Sequence, residues 1–369
     1  MELDCYVLGT DVASIGDAAV RLEAGGHGCM WSIESQYDPF LPLLVAASRT
    51  STMRVGTNIA VAFARNPMTV AQTAHDLQRF SRGRFILGLG PQVRAHIERR
   101  FSMQWSSPAR RMREFVLALR AIWTAWETGS PLDFSGEFYR HTLTGPNFDP
   151  GPTGYGPPPV WLAAVGPKMV AVTGEVADGL LCHPLTTPEY LSKVILPIAE
   201  RARLQRDAPG DFSIVVSVLG ATGPDDAAIN ASVHNVRRKI AFYAATPAHR
   251  PMLELHGLGD LQPKLNTLAR QGRWDEMAAA IDDGVLDRFA VVGSPGEIGQ
   301  AVRKRFAGLA DRATIYELDA MGRLDLEQRH LAEPQSLRDL MAGFLGKAED
   351  AYLDTPSQGK SDRARSSEE

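Results

Sequence analysis

The chain has 369 residues, 44% of them hydrophobic and 22% charged, and 39 Lys+Arg against 43 Asp+Glu leave a formal net charge of −4. Such a chain can bury a large core without staples, it has no basic excess with which to grip a nucleic-acid backbone, and no apolar run approaches the ~18 residues of a membrane-spanning helix. Cys5, Cys29 and Cys182 are too far apart for metal or redox spacing, and residues 1–4 lack a signal pattern, so a reduced cytoplasmic protein without disulfides is expected.

In chain order, residues 3–8 predict a strand and 12–24 a helix, with Ile15, Ala19 and Leu22 at helical spacing. A strand over 29–33 precedes a helix over 39–49 that has Pro near its first turn. Residues 53–61 are rich in β-branched side chains and predict a strand. A helix over 67–80 can be capped by Gly83, and 84–90 is an apolar strand. The clearest helix, 109–126, puts Met112, Phe115, Val116, Leu119, Ile122, Trp123 and Trp126 on one stripe. Residues 127–159 are rich in Gly and Pro and predict an excursion with a short hairpin around 134–141. The alternation then resumes: strand 160–165, helix 167–177, strand 179–183, helix 188–206, strand 212–219, helix 225–244. A second, mainly helical excursion covers 246–287. An extended piece at 289–292, a helix at 297–309 and a last strand at 313–318 follow. Residues 349–369 predict a polar, disordered tail behind a single domain over 1–348, and there is no internal repeat of 20–50 residues.

Eight strands alternate with helices, and most are apolar throughout, as strands covered on both faces must be. Right-handed strand–helix–strand units in that number close most simply into a (β/α)8 TIM barrel, an α/β fold, with insertions after helix 4 and between strands 7 and 8. The competitor is an open doubly wound sheet. Its dinucleotide fingerprint needs a third glycine, and after Gly88-Leu89-Gly90 that position holds Val93.

In a barrel the active site lies at the C-terminal ends of the strands. Ala163-Ala164-Val165-Gly166-Pro167-Lys168-Met169 ends a strand in small residues and opens a helix. Its free amides favour an anion such as a phosphate, with Lys168 adding a point charge; a plain tight turn is the alternative. Ser294-Pro295-Gly296-Glu297 is also a helix start, but Ser followed three residues later by Glu is a capping box, which explains it structurally. Gly88 and Gly90 let a flat ligand lie against the backbone, and Gln92 and His96 can donate to ring heteroatoms. His96 could instead cap a helix. Thr57-Asn58-Ile59 reads as ordinary strand, with Asn58 mildly unusual. Glu34, just past the second strand, suits a general acid or an arginine's partner, and His183, just past the sixth, carries the same ambiguity. His183, His249 and His256 have no zinc spacing, and there is no Gly-x-Ser-x-Gly elbow or assignable Ser–His–Asp group. An anion cradle without a protein nucleophile suits an enzyme whose cofactor carries the reaction.

Several blocks together resemble the bacterial-luciferase-like family of flavin and deazaflavin oxidoreductases, and within it the coenzyme F420-dependent oxidoreductases of actinobacteria. They are Asp38-Pro39-Phe40-Leu41-Pro42, Ile59-Ala60-Val61-Ala62-Phe63-Ala64-Arg65, Gln92-Val93-Arg94-Ala95-His96-Ile97-Glu98-Arg99-Arg100-Phe101, the 163–169 segment with Gly174-Glu175-Val176-Ala177-Asp178-Gly179, Ile240-Ala241-Phe242-Tyr243 and Leu255-His256-Gly257. The resemblance covers about residues 1–320. It implies a deazaflavin across the mouth and a non-prolyl cis peptide at Asn58–Ile59 that supports the ring from behind. It also implies a cofactor phosphate on the backbone of Ala164, Val165, Gly166, Pro167, Lys168 and Met169, and a pocket lined by Gly90, Gln92, Val93 and His96. Two positions depart from the pattern: Pro91 stands where similar sequences often have Ser, and Ser35 where some have a catalytic His. Glu34 and His183 are therefore the candidates for the acid. The resemblance implies F420-linked hydride transfer to or from a small organic substrate. FMN-dependent monooxygenation and cofactor binding without turnover are the alternatives, and a homodimer is expected by analogy.

Overall fold

The computed structural model describes residues 1–7, 12–206, 210–317 and 339. Eight strands form its centre: β1 (Glu2–Val7), β2 (Cys29–Ser32), β3 (Arg54–Thr57), β4 (Phe85–Gly90), β5 (Val160–Ala164), β6 (Gly179–Cys182), β7 (Ser213–Ala221) and β8 (Arg312–Glu317). Each pairs in parallel with the next, and β8 returns to pair with β1, so the sheet closes. This is the expected (β/α)8 barrel. The expected tail lies outside the described residues. Among the described residues no helix is long and apolar enough to cross a membrane.

The strand expected over 53–61 is divided. It stops at Thr57, turns through a cis Asn58–Ile59 peptide, and resumes as the short strand Ala60–Val61 beside Leu89 and Gly90. The Thr57 hydroxyl bridges the break by donating to the Gly88 carbonyl at 2.7 Å and accepting the Gly88 amide at 3.0 Å. A Cβ at Gly88 would overlap the Thr57 carbonyl oxygen, so glycine is required there. Periodicity could not show this division, because both halves are apolar and β-rich.

The helix Pro108–Thr128 extends the expected one by a residue or two at each end and stops at Gly129, whose φ of 68° is the left-handed cap. In the first excursion Phe134–Ser135 pairs with Arg140–His141 as expected. Glu114 on that helix holds the hairpin's turn by accepting the amides of Glu137, Phe138 and Tyr139 at 2.6–2.9 Å. The second excursion is helical from Arg250–Leu255 to Asp283–Phe289. Ala290–Val292 then joins the far end of β7 as a parallel neighbour.

The barrel interior carries one buried charge cluster near its N-terminal end. Asp4 on β1 accepts from Trp31 Nε1 at 2.9 Å and from Arg312 Nε and Nη2 at 2.8 and 2.6 Å. Burial alone would push the Arg312 guanidinium down, but the adjacent Asp4 carboxylate overrides this and holds it charged. Trp31 packs 5.5 Å from Trp161, filling the layer above, and fits because Gly56 has no Cβ to meet it.

Asp4→Ala is expected to cost about 3–5 kcal/mol, because it leaves Nε and Nη2 of a buried guanidinium without their acceptor while Glu2 holds only Nη1; chemical denaturation followed by tryptophan fluorescence measures it. Glu23 supports the entry to β3, accepting the amides of Ser51, Thr52 and Met53 and the Thr52 hydroxyl. Despite partial burial, these bonds hold its carboxyl at about 2, against 4.5 ordinarily. A depressed acid stabilises the fold above its unfolded pKa and loses that contribution as pH falls through the folded one. Glu23→Gln should therefore cost about 1–3 kcal/mol at neutral pH. The gap to the parent should narrow as pH drops below about 4.5, which denaturation midpoints across pH will show.

Candidate active site

The C-terminal mouth has two sides. On the first, β3, β4 and β5 present backbone rather than side chains. A Cβ at Gly90 would meet Ile59 Cδ1 at 3.0 Å and Ala163 Cβ at 3.5 Å, so the absent side chain is what lets the Ile59 bulge, the end of β4 and the end of β5 adjoin. Asn58 is tied across the barrel. Its Nδ2 donates to the Tyr6 hydroxyl at 2.7 Å, and that hydroxyl shares a hydrogen bond with Ser217 Oγ at 2.7 Å in which either oxygen can donate. Thr314 Oγ1 lies 3.2 Å from the same serine oxygen. Burial pushes the Tyr6 hydroxyl well above its ordinary pKa, so it stays protonated.

From β5 the chain enters the helix Pro167–Val176 through Gly166, which is extended (φ −84°, ψ 154°). No side chain caps this helix; Pro167 has no N–H and the Met169 amide is taken by the Gly166 carbonyl, so Lys168 carries the open amide of the first turn. The Gly166 carbonyl accepts from Met169 and Val170 at 3.0 Å each. A Cβ on Gly166 would meet nothing within 4 Å, so the helix start opens onto free space. Ala164 is buried, Val165 and Met169 half-buried, and Pro167 and Lys168 exposed. At the other helix start considered, Ser294 and Glu297 form the complete capping box, and its amides are already used.

Beyond β4, Gln92 takes a left-handed φ of 61°, with its Oε1 accepting the Val93 amide at 3.0 Å. This turn launches the short helix Arg94–Arg99, anchored by buried Ile97. Val93 and His96 are exposed on it. Glu34 is committed to the loop after β2. Its Oε2 accepts the Val61 amide at 2.7 Å and Arg65 Nη1 at 2.6 Å, and Arg65 also reaches Asp38 at 3.3 Å. Of its two readings, the arginine partner is the one this geometry favours, since the carboxylate is buried and engaged on one oxygen by both donors.

On the second side, His183 follows β6, whose Cys182 is in register with Ala164 on β5; the histidine thus adjoins the cradle. Its ring packs edge-on to Tyr243 at 4.7 Å and lies 4.2 Å from His249. Burial, with His249 adding to it, holds its imidazole well below the ordinary range, so it is neutral. Tyr243 comes from the helix after β7 and His249 from the second excursion, so both segments reach this side of the mouth. His256 ties that excursion down: Arg288 donates to its Nδ1 at 3.0 Å, and its Nε2 lies 2.9 Å from Thr187 Oγ1.

The structure thus brings Asn58, Ile59, Gly90 and Ala164–Met169 to one stretch of the rim, with His183 beside it. Glu34 and Arg65 brace the loop next to the bulge. Sequence reasoning missed Tyr6, Ser217 and the pairing of Tyr243 with His249. For the first two the signal was a polar side chain inside an otherwise apolar, doubly covered strand; for the last pair there was no local signal.

Comparison with known proteins places this geometry among relatives. The family model described as luciferase-like monooxygenase matches residues 5–312. An uncharacterized protein of Mycobacterium tuberculosis is 52% identical over 303 residues, covering 82% of this chain and 89% of that protein. Another M. tuberculosis protein, provisionally named coenzyme F420-dependent oxidoreductase, is 31% identical over 281 residues, covering 69% of this chain and 76% of its own. Among solved structures, the coenzyme F420-dependent tetrahydromethanopterin reductase of Methanopyrus kandleri superposes with a TM-score of 0.71 at 17% identity, covering 93% of this chain and 96% of that one.

Tyr6→Phe should cost about 1–3 kcal/mol, because it leaves the Asn58 amide and the Ser217 hydroxyl short of a partner. A denaturation midpoint indistinguishable from the parent's would show that the cross-barrel chain does not hold the bulge.

Proposed function

The chain belongs to the luciferase-like monooxygenase family, and from that premise we propose that it is a coenzyme F420-dependent oxidoreductase acting on a small organic substrate. The observation that carries this reading is the open, uncapped helix start at Gly166 beside the Asn58–Ile59 bulge. A phosphate and a flat ring need these two features side by side: amides for the anion, and a backbone shelf free of bulky side chains for the ring. The residues therefore fit such a cofactor. The 31% identical relative with an F420-linked name favours the deazaflavin over FMN.

In this reading Ala164 to Met169 hold the phosphate, with Lys168 adding charge at the exposed edge. Ile59 supports the ring, positioned by Asn58 through Tyr6. Gly90, Gln92, Val93 and His96 line the flank, where bound cofactor would cover the exposed Val93. A bound deazaflavin supplies the two-electron centre. The protein supplies binding, orientation and exclusion of water, and His183 meets the substrate as a neutral hydrogen-bonding group. Glu34 keeps its loop in place by its ion pair.

Gly166→Val separates fold from cofactor binding. The extended backbone tolerates a side chain, and its Cβ meets no neighbour, so the denaturation midpoint should hold. F420 affinity, read by tryptophan quenching, should fall by about tenfold or more as the cradle fills. Tight binding of FMN with none of F420 by the parent protein would reverse the cofactor choice, and unchanged affinity in the variant would move the phosphate elsewhere.

A further inference from the structure

The second side of the mouth holds two imidazoles in opposite tautomers. His183 Nδ1 accepts the Leu185 amide at 3.2 Å, so the proton of its neutral ring sits on Nε2. His249 Nδ1 lies 2.6 Å from the Tyr243 carbonyl oxygen. A carbonyl only accepts, so this Nδ1 carries the proton and Nε2 keeps its lone pair. Burial lowers both imidazoles below their ordinary range, which keeps them neutral at pH 7. Their rings lie 4.2 Å apart, tilted by 37°. Among the described residues neither Nε2 has a hydrogen-bond partner, each ring being bonded through Nδ1. One open donor and one open acceptor therefore stand side by side at the end of β6.

Resting on the oxidoreductase reading above, we propose that His183 and His249 form the subsite for the substrate's oxygen and select an uncharged alcohol. The His183 Nε2–H donates to the hydroxyl oxygen, and His249 Nε2 accepts the hydroxyl proton. Tyr243 is the positioning residue: its carbonyl sets the His249 tautomer, and its ring edge packs on His183. A carboxylate has no proton to offer His249 and an ammonium no lone pair for His183, so both charged classes lose one of the two bonds. The competing attraction is Lys239, whose Nζ lies 5.4 Å from the Tyr243 ring centroid and would favour an anion.

The test uses the full chain without cofactor and a neutral probe, isobutyramide, whose carbonyl and amide offer the same acceptor and donor without reacting. Side-chain 15N NMR at pH 7 should show His183 protonated on Nε2 and His249 on Nδ1. Isobutyramide should shift both Nε2 resonances saturably, while isobutyrate and isopropylamine leave them in place. His183→Gln and His249→Gln should each weaken the probe by about tenfold and leave F420 affinity within about twofold. A proton on His249 Nε2, an imidazolium at either ring, unmoved resonances, or tighter binding of isobutyrate would overturn the proposal. The tautomers are read on the parent protein, so a variant that fails to fold leaves the test intact. Failure of F420 to bind while both rings behave as stated would overturn only the cofactor reading.

Discussion

The barrel depends on closure between its first and last strands, and a buried ion pair marks that seam. Glu2 on β1 is in register with Arg312 on β8, and two residues further Asp4 accepts both arms of the same guanidinium. Trp31 gives its indole proton to that carboxylate, which draws β2 into the cluster. Buried charges of this kind add little net stability against an apolar alternative, but they penalise every arrangement that separates them. A slipped register between β1 and β8 would leave a carboxylate and a guanidinium unpaired inside the barrel. The cluster thus specifies one closure, and with it the height at which each strand ends at the mouth.

Above that level the wall is built by removing side chains. Gly56 makes room for Trp31, Gly88 for the Thr57 carbonyl and Gly90 for Ile59. The last two surround the point where β3 breaks at Asn58–Ile59. Where the backbone ladder is interrupted, side chains replace its bonds. Thr57 bonds both backbone groups of Gly88, Asn58 reaches Tyr6, and Glu34 takes the Val61 amide. A backbone shelf of this shape survives only if each freed polar group finds such a partner. The polar residues buried here are therefore bound up with the shelf, while at the helix start after Gly166 the Lys168 amide stays open.

The two sides of the mouth differ in chemistry. The β3–β5 side offers amides and flat backbone, suited to a phosphate and a planar ring. The β6–β7 side offers neutral aromatic and imidazole groups from His183, Tyr243 and His249, suited to an uncharged substrate. The register of Ala164 with Cys182 places the two sides next to each other, so a ring on one could face a substrate on the other.

The amino-acid sequence by itself determined the barrel. Eight apolar segments separated by amphipathic helices leave few other ways to bury both faces of a parallel sheet, and that pattern is local. It also determined the helix start at Gly166 and its contrast with the Ser294 capping box, since caps depend on residues three apart. The cis Asn58–Ile59 bond was legible only through family resemblance, because the dipeptide carries no local mark. Tertiary structure alone decided the rest. Glu34 became the partner of Arg65, 31 residues away, and Tyr6 met Ser217 across 211 residues. The rings of His183 and His249, carried on separate segments, met at 4.2 Å. These outcomes depend on which strands neighbour one another and how deep each side chain lies, and no window of sequence contains that information.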